Sequence, residues 1–151
     1  MLINKLLSPI HVFYVTNTVI SIQNIVEKIK HSNIYLHVIN KNKTNKLVIN
    51  ALHELLKEQN PHLFFRNIYT KQDELQYLKY ITDKYKEAES LVFTNKSDIS
   101  LESIESILSK RVSNEIVSNN EIKLTLDDII NNNYETCICD ISIMKKYELS
   151  K

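Results

Sequence analysis

Glycine is absent from this 151-residue chain, and its absence excludes several large enzyme classes. A P-loop, a dinucleotide-binding G-x-G-x-x-G turn and a G-x-S-x-G nucleophile elbow each need a residue without Cβ at a tight turn or a close approach to ligand. None of the three can be built here. Backbone positions with positive φ must fall to other residues, of which Asn is the best substitute. Asn33, Asn60 and Asn114 stand where helices are expected to end. Cysteine is scarce as well. Cys137 and Cys139 lie two apart on an expected strand, which places them on one face. With C-x-C spacing and no further ligand beside them, they read as reduced, buried thiols rather than a metal site. Charge of one sign is also lacking, since 19 Lys and Arg face 18 Asp and Glu for a net charge of +1. The two signs are interleaved, which argues against an electrostatic footprint for a nucleic acid duplex or an anionic membrane. No apolar run is long enough to span a bilayer, and residues 1–10 lack the apolar core and cleavage site of a signal peptide. The expectation is therefore a cytoplasmic protein without a membrane span.

What is present fits one soluble domain: 43% of residues are hydrophobic and 25% charged, enough for a single core at this length. Val12, Phe13, Tyr14 and Val15 form a continuous apolar run, the pattern of a strand covered on both faces, and it breaks into Thr16-Asn17-Thr18. This reads as the first, central strand, with Asn17 or Thr18 capping the next helix, in which Val19, Ile22, Ile25, Val26 and Ile29 recur at helical spacing. A second strand follows over residues 34–39, then a polar, cationic turn over 40–45. The next helix would use Leu47, Val48, Ala51, Leu52, Leu55 and Leu56 as one broad apolar face, and Asn60-Pro61 stops it. Leu63, Phe64 and Phe65 mark a third strand. Thr70 with Asp73 and Glu74 reads as a helix start, continued by Tyr77, Leu78, Ile81 and Tyr85. Residues 90–94 form a fourth strand that ends in Asn95-Lys96-Ser97-Asp98, before a helix marked by Leu101, Ile104, Ile107 and Leu108.

Further on, Ile122, Leu124 and Leu126 alternate with polar residues as in a half-exposed strand ending at Asp127-Asp128. Asn131-Asn132-Asn133 reads as a loop, residues 134–143 as a final strand, and 144–151 as a terminal helix or tail. Strands alternating with helices predict a single domain over residues 1–151, with residues 1–10 as a lead-in. The predicted fold is α/β: a three-layer Rossmann-like sheet, mostly parallel, with helices on both faces.

In such folds ligands sit beyond the carboxyl ends of strands, which directs attention to three polar rims. Thr16, Asn17 and Thr18, and likewise Asn95 and Lys96, precede helices. There they serve either as ordinary caps or as a phosphate- or carboxylate-binding edge built from backbone N–H groups. Asp127 and Asp128 are adjacent carboxylates able to raise one another's pKa, which suits one of them to act as a base, or else they open a helix. The histidines offer no ligand spacing, so His31, His37, His53 and His62 are assigned surface or helix-end roles. His11 falls just before the first strand, at the edge opposite the expected site. Tyr77, Tyr80 and Tyr85 are read as packing residues.

The order of these elements from residue 11 to about 133, together with Ile122-Lys123-Leu124-Thr125-Leu126-Asp127-Asp128, resembles the N-terminal half of glycosyltransferase family 52, bacterial sialyltransferases that build surface glycans. The resemblance implies a nucleotide-sugar or nucleotide ligand and no bound cofactor. It makes Asp128 the base that deprotonates the acceptor hydroxyl, with Asp127 as its neighbour. That family has glycine after its acidic pair, where this chain has Ile129, and Pro-Leu-Gln where this chain has Thr18-Val19-Ile20. Its second, nucleotide-sugar-binding domain has no counterpart here, so the resemblance implies an acceptor-side half with a partner subunit, or a catalytically reduced relative. The chain is also similar to the Rossmann-like sensing domains of CRISPR-associated effectors. That likeness implies a homodimer binding cyclic oligoadenylate, with Thr16, Asn17 and Lys96 facing the ligand. A third reading is a non-catalytic protein-interaction domain.

Overall fold

The computed structural model describes residues 10–85, 90–97, 99, 100, 102–104, 106 and 136–140. Its elements in chain order are β1 (Ile10–Thr16), α1 (Ile22–Ile29), β2 (Ile34–Asn40), a 3-10 turn (Lys43–Asn45), α2 (Lys46–Leu56), β3 (Leu63–Asn67), α3 (Lys71–Lys84), β4 (Ser90–Thr94) and β5 (Thr136–Asp140). They form one five-stranded sheet in the order β3-β2-β1-β4-β5. The first four strands in that order are mutually parallel, and β5 runs antiparallel to β4 at the edge. The architecture is the Rossmann-like α/β fold read from the sequence, with β1 in the middle. Residues 102–104 and 106 are helical, where a helix was expected after the fourth strand. The strand expected at residues 122–126, the loop at 131–133 and the tail at 144–151 lie outside the described residues.

Strand register divides the side chains into two layers. On one face, Val12 and Tyr14 of β1, Leu36 and Val38 of β2, Leu63 of β3 and Val92 of β4 meet Ile22, Ile25, Val26 and Ile29 of α1 and Ile49 of α2 in one buried cluster. On the other, Phe13 stacks between His37 and Phe93, with ring centroids 4.2 and 4.8 Å away, and α3 lays Tyr77 edge-on against it. Because α1 and α2 cover one face and α3 the other, the chain changes sides between β3 and β4. The result is the double winding that leaves β1 and β4 as neighbours.

Three expectations are corrected. Leu47, Val48 and Leu55 of α2 are 80%, 52% and 72% exposed, and Ala51 is exposed too, so they are not part of a core-facing stripe. The helix is held instead by Ile49, with Leu52 and Leu56 partly buried. Six apolar positions spread over about half the circumference of a helix cannot all reach one sheet, and the fully buried Ile49 turns the helix so that its own side of the stripe, with Leu52 and Leu56, faces the core. His37 is not a surface residue. It lies at the middle of β2, 3% exposed, and His11 falls within β1 rather than before it. Finally, α1 begins four residues later than expected. Its N-cap is Ser21, without a side-chain cap bond, because Thr16 and Thr18 close a turn of their own. By contrast, Thr70 caps α3 as read, its Oγ1 accepting from the Asp73 N–H at 3.1 Å.

Candidate functional site at the carboxyl edge

Four parallel strands end in Thr16, Asn40, Asn67 and Thr94, and the ends of three of them are shaped by one repeated device. Thr16 Oγ1 accepts from the Thr18 N–H at 3.0 Å, Asn40 Oδ1 from the Asn42 N–H at 3.1 Å, and Thr94 Oγ1 from the Lys96 N–H at 3.1 Å. Each is a side chain bonding the backbone two residues on, a turn that hydroxyl and amide side chains make without needing glycine. A chain with no glycine thus turns the corner from strand to helix by using Thr and Asn at the strand ends.

The loops after β1 and β2 and the end of β3 are tied into one polar rim. Asn40 is fully buried, and its Nδ2 donates to the Asn42 carbonyl and to Asn67 Oδ1 at 2.9 and 3.0 Å. Asn67 Nδ2 continues to Asn50 Oδ1 at 3.1 Å. The Asn17 carbonyl accepts from the side-chain amides of Asn42 and Asn45 at 3.3 and 2.9 Å, which fastens the loop after β1 to the loop after β2. Beneath the rim, Lys41 Nζ lies 3.7 Å from Glu74 Oε1, with both side chains nearly inaccessible (8% and 2%). This pair joins the end of β2 to the first turn of α3, where the helix dipole also favours the carboxylate.

The expected site residues fall as follows. Thr16 is buried and its hydroxyl is engaged with Thr18, also donating to the Thr18 carbonyl at 3.0 Å. Asn17 and Thr18 are exposed, Lys96 is exposed and Asn95 half-buried. Tyr14 of β1 pairs in register with Thr94 of β4, so residues 16–18 and 95–96 leave the sheet from neighbouring strands at the same edge. Asp127 and Asp128 lie outside the described residues. Sequence reading missed Asn40, Asn67 and the Lys41–Glu74 pair. The signal for the first two was the recurrence of an amide or hydroxyl at the last position of every parallel strand.

The amino edge carries different chemistry. His11 Nδ1 and His37 Nε2 share a hydrogen bond of 3.1 Å, and the His11 ring lies 4.1 Å from that of Tyr85. Burial lowers the pKa of His11 to about 4. Burial, aided by the neighbouring His11 and Lys84, lowers that of His37 to about 3. Both rings are therefore neutral at physiological pH, one donating and one accepting.

Among the described residues no group of three His, Cys, Asp or Glu side chains is placed to hold a metal ion, and no helix is long and apolar enough to cross a membrane. Fold and rim together define a Rossmann-like α/β domain with a polar rim along the carboxyl ends of β1, β2 and β3. Comparison with protein-family models, with curated proteins and with solved structures gives no match.

Proposed function

We propose that the chain is a nucleotide-binding Rossmann-like domain of the glycosyltransferase type, taking a nucleotide or nucleotide sugar at the carboxyl edge between β1 and β4. The observation that supports this reading is the adjacency of β1 and β4 at the point where the strand order reverses, with α1 on one face of the sheet and α3, which leads into β4, on the other. In open α/β sheets ligands usually lie at the carboxyl edge beside such a reversal. Exposed Asn17, Thr18 and Lys96 offer amide, hydroxyl and ammonium groups to it, and the first turn of α1 is not consumed by a side-chain cap, which suits a phosphate. In the enzymatic form of the proposal Asp128 removes the proton of an acceptor hydroxyl and Asp127 tunes it.

The test is thermal stabilisation of the purified chain by CMP, CMP-sialic acid and cyclic oligoadenylate, repeated with Lys96→Ala. A ligand at a hundredfold its Kd raises stability by about 2.7 kcal/mol. A shift with CMP or CMP-sialic acid that Lys96→Ala weakens supports the proposal. A shift with cyclic oligoadenylate alone would replace it by the sensing reading, and no shift with any of the three would refute a nucleotide site.

A further inference from the structure

On the α3 face, beside the edge strand β3 and away from the β1–β4 junction, lies an open cleft of about 120 Å³. Its walls are aromatic: Phe64 from β3, Tyr77 and Tyr80 from α3, Tyr85 at the C-cap of α3, and His37 at its floor. Two cations stand in it. The Arg66 guanidinium lies 5.1 Å from the Tyr77 ring centroid and 5.5 Å from that of Tyr80. Lys84 Nζ lies 5.4 and 5.8 Å from the centroids of Tyr80 and Tyr85 and donates to the Tyr80 hydroxyl at 2.9 Å.

Neither cation has a carboxylate partner among the described residues, where the ion pairs are Lys30–Glu27, Lys41–Glu74 and Lys57–Glu54. Nor do the described residues that line the cleft include an Asp or Glu. Burial holds the Tyr77 and Tyr85 phenols above their ordinary pKa and the histidine floor is neutral, so the two cations set the charge of the cleft. Like charges placed together without a counter-ion repel, and an exposed surface ordinarily relieves this with a nearby carboxylate. Here the compensation is left to cation–π contact, which leaves the five guanidinium N–H donors without a protein acceptor among the described residues.

We propose that this cleft binds a small aromatic anion: one flat ring that packs on Phe64 and Tyr80, bearing a phosphate or carboxylate that Arg66 and Lys84 hold. At about 120 Å³ the cleft is somewhat smaller than the closed cavity of about 150 Å³ that accommodates benzene, and being open to solvent it admits one ring with its oxyanion at the mouth. The guanidinium fork matches both oxyanions bidentately, and Lys84 adds a point charge. The site is separate from the nucleotide site at the β1–β4 junction and does not depend on it.

The experiment is a titration of the full chain by amide NMR with phenyl phosphate and with benzoate. Phenol and inorganic phosphate serve as half-ligand controls, and Arg66→Gln and Lys84→Gln as variants. Both side chains are exposed, and thermal melts confirm that the variants fold. The expected result is a saturable shift centred on residues 64–66 and 80–85 with at least one aromatic anion, weakened about tenfold in each variant and by each control. The proposal is overturned by no saturable shift with either aromatic anion up to about 10 mM, a range that reaches millimolar affinities. It is overturned equally by shifts that survive both substitutions, or by inorganic phosphate binding as tightly as phenyl phosphate.

Discussion

The His11–His37 pair makes stability depend on pH in a way that can be worked through. In the unfolded chain both imidazoles titrate near the ordinary value of 6.5, whereas in the fold they titrate at about 4 and about 3. A lowered imidazole pKa means that unfolding takes up protons once the pH falls below 6.5. The full contribution is therefore present above that pH and is lost progressively on acidification towards the native values. At pH 5 both native rings are still neutral and both unfolded ones are charged. The loss relative to pH 7.5 is then about 2 kcal/mol for each ring and about 4 kcal/mol for the pair.

Against a total stability of about 5–15 kcal/mol for a typical domain, that is a large share. It precedes the range in which ordinary carboxylates protonate. Urea unfolding followed by circular dichroism at pH 7.5, 6 and 5 measures it. The double variant His11→Phe/His37→Phe removes both titrating groups while keeping rings in the stack between Phe13 and Phe64, so its stability should be nearly flat over the same range. Wild-type stability that does not change between pH 7.5 and 5, or a pH dependence that persists in the double variant, would refute the reasoning.

Other substitutions separate the working parts of the fold. Glu74→Ala removes the carboxylate that faces the nearly inaccessible Lys41 ammonium and should cost about 3–5 kcal/mol in urea unfolding, whereas Lys41→Met/Glu74→Leu should recover much of it. Thr70→Ala removes the α3 cap and should cost about 1 kcal/mol by the same assay. On α2, Leu47→Lys and Leu55→Lys should each change stability by no more than about 0.5 kcal/mol. Ile49→Ala, at a fully buried position, should cost about 2–5 kcal/mol. Thermal melts of the three variants side by side check that contrast.

The sheet was legible because its strands obey local rules. The run from Val12 to Val15 is apolar on both faces, and Leu63, Phe64, Phe65 and the five residues from Ser90 to Thr94 stand between clear breaks. Helix α3 announces itself through Thr70 and its acidic first turn. The rotation of α2 was not legible, because helical spacing shows that apolar positions exist but not which of two overlapping stripes meets the sheet. Residue types also misled at His37, where an imidazole flanked by Leu36 and Val38 is buried by its strand partners, Phe13 and Phe64, that is, by residues far away in sequence.

The address of the candidate site could be read in advance, since Thr16 to Thr18 and Asn95-Lys96 both end apolar runs. The wiring could not. Asn40 bonds to Asn67 and Asn67 to Asn50 only because β2, β3 and α2 pack together, and the Arg66–Lys84 cleft arises from two elements with no shared motif.

The central claim is that the loops following β1 and β4 form one nucleotide site. An amide NMR titration with CMP-sialic acid that follows Asn17, Thr18, Asn95 and Lys96 tests it most directly. The account predicts that all four respond along one saturation curve. Response of only one of the two loops, or of neither at saturating nucleotide, would contradict it.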